Sequence, residues 1–146
     1  MLKNSSKYFL ELSSDDKHAY IKKLTFTDGT VLPDPFGITD GQWESNILLL
    51  PDVTFGDLYT YLIETPSEYT HENIKAYKSL EAHNFFLNGH VQDVFYHDPK
   101  NSNMCYIKSS VLPSQRQGKK EKLYSVWLIL SKTGSVLTAN CTCMAG

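Results

Sequence analysis

Apolar and polar residues alternate along the second half of the chain, with the period of two that is typical of half-buried β-strands. The alternation predicts four strands: Val91–Tyr96, Met104–Leu112, Lys122–Ser131 and Ser135–Cys143. The third of these carries apolar residues on both faces, which indicates a central strand. The predicted turn Lys132–Ser135 places Gly134 where a positive φ is favoured. Together these features predict an antiparallel β-meander.

The first half of the chain combines short helical patterns with loops that contain Pro and Gly. The residues Ser13–Asp16 offer N-caps for a short helix over His18–Leu24. The segment Leu32–Gly37 holds two prolines and is predicted to be irregular, because each proline restricts itself and its predecessor. Further along, Thr54–Asp57 resembles a capping box that opens a helix over Asp57–Glu64.

The clearest helical pattern covers Thr70–Asn88, with Thr70 as its N-cap and Gly89 as the terminating residue. Its apolar residues fall on one broad arc that is predicted to face a core. We interpret Glu81 and Asn84, which lie within this arc, as a hydrogen-bonded pair at its edge. The fold class predicted for the chain is α+β: a mainly helical N-terminal region with Pro-rich loops over residues 1–90, followed by the meander over residues 91–146.

Composition narrows the class of protein. The chain has 146 residues, of which 41% are hydrophobic and 21% charged, so wholesale disorder and fibrous repeats are excluded. A net charge of −2 argues against a non-specific polyanion binder, whose surface is usually strongly basic. Three cysteines are too few for a disulfide-stapled secreted scaffold, and neither a signal-peptide pattern nor a membrane-length apolar run is present. We expect an intracellular protein without a membrane partner, with the nucleus as one candidate compartment.

No constellation typical of an enzyme stands out, because G-x-S-x-G, Gly-rich phosphate-loop and H-E-x-x-H motifs are absent. Asp93, His97 and Asp98 are close in sequence, as residues for metal binding or acid–base chemistry can be. The turn predicted over Asp98–Asn101 indicates instead that they form the solvent-exposed rim of that turn. An edge of the predicted sheet carries basic residues: Lys108, Arg116, Lys119, Lys120 and Lys122. Basic side chains at such an edge usually face solvent. The alternative interpretation is that they contact nucleic-acid phosphates. We expect neither catalysis nor a small-molecule substrate.

The strongest chemical signal is the sequence Cys141-Thr142-Cys143. Residues i and i+2 of a strand lie on the same side of it, about 6.6–6.8 Å apart along the backbone. Two thiolates that bind one zinc ion, each with a Zn–S distance of about 2.3 Å, lie closer to each other than that. Both side chains can lean inward where the strand bends, which Ala145 and Gly146 permit. Two ordinary buried cysteines are the alternative interpretation.

A structural zinc site requires four ligands, so Cys141 and Cys143 supply half of one. The other cysteine and the histidines show none of the spacings usual for paired ligands. These residues are Cys105, His18, His71, His83, His90 and His97. Each is more readily explained as a packed or solvated side chain than as a completing ligand.

Beyond these residue-level signals, the C-terminal part resembles a known module. The predicted hairpin, Tyr124–Leu130 followed by Gly134–Gly146, resembles the front half of a SWIM-type zinc finger, whose motif is C-x-C, a spacer and C-x-H. Its ending, C-T-C-M-A-G, is similar to the SWIM module of animal proteins that also carry a YqaJ-like viral recombinase (exonuclease) domain, and so is the upstream segment Ile74–Phe86. The resemblance covers about residues 70–146. It implies that Cys141 and Cys143 are the first two zinc ligands.

The sequence departs from that family because no C-x-H follows Cys143 and no YqaJ-like region is present. The resemblance therefore implies either a fragment of a SWIM-type protein or a protein that has lost its zinc. Our main hypothesis is a non-catalytic, zinc-binding SWIM-type module that interacts with DNA or with another protein. One alternative is an accessory domain of a YqaJ-like exonuclease or recombinase. A further alternative is a metal-free protein-interaction domain that uses the edges of the meander.

Overall fold

A computed structural model describes residues 2–54, 56–57, 60–61, 87–113 and 122–143. The sheet within these ranges has four strands: β1 Val91–His97, β2 Met104–Val111, β3 Tyr124–Ser131 and β4 Val136–Cys141. Each strand is antiparallel to the next, in the order β1-β2-β3-β4. The predicted meander is therefore confirmed, with strand ends within two residues of those expected.

The hairpin between β3 and β4 forms where the sequence predicts it. Gly134 has a φ of +104°, a conformation that side-chain-bearing residues rarely adopt. A Cβ atom at this position would also collide with the carbonyl oxygen of Asp52. Glycine is thus required here both by the turn and by the close approach of the preceding loop.

Two short helices precede the sheet: α1 Lys7–Glu11 and α2 Ser14–Lys23. The hydroxyl of Ser13 caps α2 by accepting a hydrogen bond from the Asp16 backbone N–H at 3.2 Å, as the N-cap signal predicts. Helix α2 begins four residues earlier than expected, because Ser13 itself is the cap. Helix α1 was not anticipated, and its five residues are too few to show a helical period.

The prediction of a mainly helical N-terminal region is met only in part. After α2, residues 25–54 form irregular chain with three single 3₁₀ turns: Pro35–Gly37, Asp40–Gln42 and Ile47–Leu49. The first of these turns lies within the proline-containing segment that was expected to be irregular. The described structure is consequently mixed α and β, with more strand than helix.

Two other predicted helices lie largely beyond the described residues. Most of Thr70–Asn88 is outside them, including the Glu81 and Asn84 pair, although Gly89 has the positive φ, +75°, expected after a helix. The capping box itself is confirmed, because Thr54 and Asp57 exchange reciprocal side-chain to backbone hydrogen bonds of 2.8 and 3.3 Å. The rest of Asp57–Glu64 is only partly described.

One face of the sheet packs against the helices and the loop that follows them. This main core includes Phe9, Tyr20, Leu24, Trp43, Tyr106, Trp127 and Ile129. Within it, the Trp127 indole N–H donates to the Tyr20 hydroxyl at 2.9 Å, which donates to Asp34 Oδ1 at 2.8 Å. Asp34 is fully buried, and its Oδ2 accepts the Ser6 backbone N–H at 2.8 Å. We refer to Trp127, Tyr20, Asp34 and Ser6 as the buried network.

A second cluster lies on the opposite face, around Tyr96, Cys105 and Leu130, with Leu50 packed against it. Apolar residues on both faces of β3 are thus accounted for by two separate clusters. In the described part of the chain, no helix has the length and apolar character needed to cross a membrane.

Candidate metal centre at the end of β4

The two candidate zinc ligands lie where the last strand ends. Cys141 is the final residue of β4, and Cys143 follows two residues later in a bend. Both are half-buried and carry free thiols. A bend lies at Thr142 and Cys143, and the Ala145-Gly146 pair that was expected to permit it is outside the described residues.

Thr142 causes this bend by ending the strand pairing with its side chain. Its backbone N–H still donates to the Ser125 carbonyl of β3 at 3.0 Å. The return bond differs, because the Ser125 N–H donates to the Thr142 hydroxyl oxygen, at 3.0 Å, instead of to a backbone carbonyl. Thr142 is therefore anchored to β3 at the point where β4 ends.

The backbone of Cys143 is directed towards the thiol of Cys141. The Cys143 N–H donates to Cys141 Sγ at 3.3 Å, and the two thiols are hydrogen-bonded to each other. Donation from an N–H to sulfur favours the thiolate over the thiol, and hydrogen bonds of this kind orient metal ligands. The local backbone thus holds Cys141 as a metal-ligating sulfur would need to be held.

Burial opposes ionisation of this thiol in the absence of metal. Burial first, and then the Cys143 thiol, raise the pKa of Cys141, while the Cys143 N–H and the Lys23 ammonium lower it, and the net result is a pKa of about 11. The Cys141 thiol is therefore protonated at neutral pH. A metal ion would have to displace that proton, so binding would release protons and weaken in acid.

A lysine and an asparagine, neither singled out by the sequence, complete the surroundings. Lys23 is the last residue of α2, and its Nζ donates to Asn140 Oδ1 at 2.8 Å. Asn140 is buried, and its Nδ2 donates to the Cys141 carbonyl at 3.4 Å. Burial lowers the pKa of Lys23, while the electrostatic influence of Cys141 and Cys143 raises it.

The strand register separates the third cysteine from this pair. Cys105 is opposite Leu130 of β3, whereas Cys141 is opposite Val126. Four residues of strand correspond to about 13 Å, too far for a shared metal ion. Burial and the nearby Asp98 carboxylate raise the pKa of Cys105. Cys105 therefore belongs to the second cluster.

The described histidines have backbone partners of their own. The Nδ1 atoms of His18, His90 and His97 lie 2.8, 3.3 and 2.9 Å from the carbonyl oxygens of Ser14, Leu112 and Gln42. His71 and His83 lie outside the described residues. Across the described ranges, no three His, Cys, Asp or Glu side chains gather closely enough to hold a metal ion.

The other polar candidates are engaged separately. Asp98 forms an ion pair with Lys132 at 2.9 Å, and Asp93 is an exposed residue within β1. Lys108 lies 4.5 Å from the centre of the Trp43 ring and 3.2 Å from Asp40 Oδ1. Of the remaining basic edge, Lys122 is exposed, and Arg116, Lys119 and Lys120 lie outside the described residues.

The donor set fits zinc as half of a site. Cysteine sulfur, once deprotonated, is a preferred zinc ligand, and here two cysteine thiols lie at a bend with an N–H directed to one sulfur. Comparison of the chain with models of protein families, with curated proteins and with solved structures finds no match.

Proposed function

We propose that the chain is a non-catalytic, SWIM-type module that supplies two zinc ligands, Cys141 and Cys143, and serves interaction with DNA or with another protein. The hydrogen bond from the Cys143 N–H to Cys141 Sγ, 3.3 Å long, is the observation that carries the proposal. It supports a metal role because two ordinary buried cysteines would not require a backbone donor directed at sulfur.

The role proposed for the metal is structural. A closed site with four protein ligands leaves no open position for water or substrate. Zinc held at the end of β4 would fix a ligand-bearing segment against the sheet, and the energy of binding would contribute to folding. Such a segment, held beside β4, would form the surface that meets DNA or protein.

Two thiolates alone should bind zinc weakly, or by sharing one ion between two molecules. A segment with the C-x-H pattern, fused after Gly146, should raise the affinity by several orders of magnitude, because it completes the tetrahedral set. Competition with a chromophoric chelator measures the affinity, and native mass spectrometry measures the stoichiometry.

Two cysteine variants serve as controls for zinc binding. Cys141→Ser in the fused protein should abolish tight binding, whereas Cys105→Ala, which removes the buried thiol of the second cluster, should leave it unchanged. Tight binding of one zinc ion by the 146-residue chain, without the fused segment, would contradict the proposal that the chain supplies only two of the four ligands. Equal affinity with and without the C-x-H segment favours the metal-free interaction domain instead.

A separate assay addresses the nuclease alternative. We expect no cleavage of single- or double-stranded DNA with magnesium or manganese present. Cleavage that survives purification and is lost in Asp93→Asn or Asp98→Asn would contradict a non-catalytic role. Binding of the zinc-loaded fused protein to DNA, measured at several salt concentrations, separates a DNA partner from a protein partner, because phosphate contacts weaken with salt.

A further inference from the structure

The thiols of Cys141 and Cys143 lie against each other at the end of β4. They are hydrogen-bonded, and the Cys143 N–H donates to Cys141 Sγ at 3.3 Å, which places that sulfur beside the backbone of the other cysteine. Both residues are half-buried and therefore retain access to solvent. Cys105, by contrast, is fully buried, and its position in the sheet separates it from the pair.

The spacing of the pair falls within the range that a disulfide bond can span. A disulfide joins residues whose Cα atoms are about 4.4–6.8 Å apart, and residues i and i+2 of a straight strand lie about 6.6–6.8 Å apart. The chain bends at Thr142 and Cys143, and a departure from extended backbone shortens this distance. The two cysteines therefore need little backbone movement to become joined.

We propose that Cys141 and Cys143 form a reversible dithiol–disulfide pair, which a small-molecule disulfide such as oxidised glutathione oxidises and the corresponding thiol reduces. The inference goes beyond the proposed function, because it requires no metal ion. The two uses of the pair exclude each other, since sulfur atoms joined in a disulfide no longer offer thiolates to zinc.

The reaction consists of two successive thiol–disulfide exchanges. One protein thiol loses its proton and attacks the small disulfide, whose S–S bond breaks to release a thiolate that takes up the proton. The neighbouring thiol then attacks the mixed disulfide and expels the second small thiol in the same way. The protein loses two electrons and two protons, and the small disulfide gains them. Burial raises the pKa of the Cys141 thiol, which slows the exchange because only a thiolate attacks, so the reaction is followed to equilibrium.

The bond formed in this way would be labile. The ring that it closes contains only the residues from Cys141 to Cys143, so the backbone strains it. Strained or solvent-accessible disulfides are more readily reduced than structural ones, which resist the glutathione pool. The pair is therefore suited to a redox-sensitive site and not to a permanent cross-link.

The test uses the 146-residue chain with Cys105→Ala, so that only the pair can react, and the wild type is measured alongside. Each protein is equilibrated, with a metal chelator, in glutathione buffers of increasing oxidised fraction. Alkylation then blocks the remaining thiols, and mass spectrometry identifies the products. The same chain in denaturing urea is the control for the fold, and Cys143→Ser is the control for the neighbouring thiol.

We expect one intramolecular disulfide, seen as the loss of two hydrogen atoms from the mass, which added reduced glutathione reverses. Half-oxidation of the folded chain should require about tenfold less oxidised glutathione than in urea, because the fold keeps the two thiols together. Cys143→Ser should retain bound glutathione instead, since no neighbouring thiol expels it.

Three results would overturn the inference: equal oxidation of the folded and unfolded chains, glutathione retained on the intact pair, or disulfides between two chains. None of them bears on the proposed function, because the gain in zinc affinity on fusion of the C-x-H segment is measured separately. A reversible disulfide without that gain would overturn the proposed function and leave this inference standing.

Discussion

Helix α2 contacts the sheet through two neighbouring polar networks that differ in how completely they are satisfied. In the buried network, Tyr20 joins Trp127 to Asp34. Three residues further along the helix, Lys23 Nζ donates to Asn140, whose amide nitrogen donates to the backbone carbonyl of Cys141. Residues three apart share a helix face, and Trp127 and Asn140 are directly opposite each other in β3 and β4. The two networks are therefore one helical turn and one strand apart.

We expect the two networks to have different roles, the first in the stability of the fold and the second in binding. Throughout the described residues, every buried side-chain nitrogen and oxygen has a hydrogen-bond partner, so the buried network has no capacity left for a ligand. The thiol network lies at the end of an edge strand and holds sulfur atoms whose preferred partner is a metal ion. We expect the buried network to stabilise the fold, and the half-buried thiols are where we propose that a metal ion binds.

The largest expected effect comes from breaking the buried network at Asp34. Asp34→Ala should lower the free energy of unfolding by about 3 kcal/mol, because the Tyr20 hydroxyl and the Ser6 N–H both lose a buried acceptor. Denaturant unfolding followed by Trp fluorescence measures the change. A decrease in the free energy of unfolding below about 1 kcal/mol is within the range of one ordinary hydrogen bond. That result would show that water replaces the carboxylate, so that the network is not closed.

High pH should weaken the same region. Burial, followed by the Asp34 carboxylate, raises the pKa of Tyr20, and burial raises that of Tyr106 to about 12. The unfolded chain loses these protons first, at about pH 10, so stability is unaffected by the two groups below pH 10 and falls above it. Between pH 10 and 11 the two tyrosines together should reduce the free energy of unfolding by about 2 kcal/mol.

Tyr20→Phe provides the control for this pH dependence, since it should remove about 1 kcal/mol of the loss between pH 10 and 11. An unchanged slope in Tyr20→Phe would mean that the alkaline loss arises elsewhere in the chain.

At neutral pH, Tyr20→Phe tests the connection between helix and sheet. We expect a loss of about 1.5 kcal/mol, smaller than for Asp34→Ala, because the ring packing is kept while the hydroxyl that joins Trp127 to Asp34 is removed. A double-mutant cycle with Asp34→Ala should show strong coupling between Tyr20 and Asp34. Additive effects of the two substitutions would argue against a network that acts as a unit.

The smallest expected effect on folding is at the other network. Asn140→Ala should reduce the stability of the metal-free protein by about 1 kcal/mol or less, since only the bonds to Lys23 and to the Cys141 carbonyl are lost. Its effect should appear in zinc affinity instead, in the fused protein with the C-x-H segment. Destabilisation as large as that of Asp34→Ala would remove the distinction between the two networks.

Much of the sheet could be predicted because it depends on local patterns. Alternation sets the strands, the apolar residues on both sides of β3 require neighbours on both sides, and a turn needing positive φ requires Gly134. The N-cap at Ser13 and the capping box at Thr54 and Asp57 are equally local. The mainly helical character expected of residues 1–90 is met only in part, because residues 25–54 are held by tertiary contacts and not by a helical period. The loop at Glu44, for example, exchanges two backbone hydrogen bonds of 2.7 Å with Tyr96 of β1.

The sequence by itself determined the meander, its turn, the start of α2 and the pair of cysteines at the end of β4, because each depends on residues close together in the chain. Only the tertiary structure decided what surrounds those cysteines. Lys23 and Asn140 are 117 residues apart, and no local pattern relates them. Their contact exists because α2 packs across the face of β3 and β4, where the side chains of Tyr20 and Trp127 set its position. Packing of distant elements, and not local propensity, brought the Lys23 ammonium to Asn140, the neighbour of Cys141 in β4.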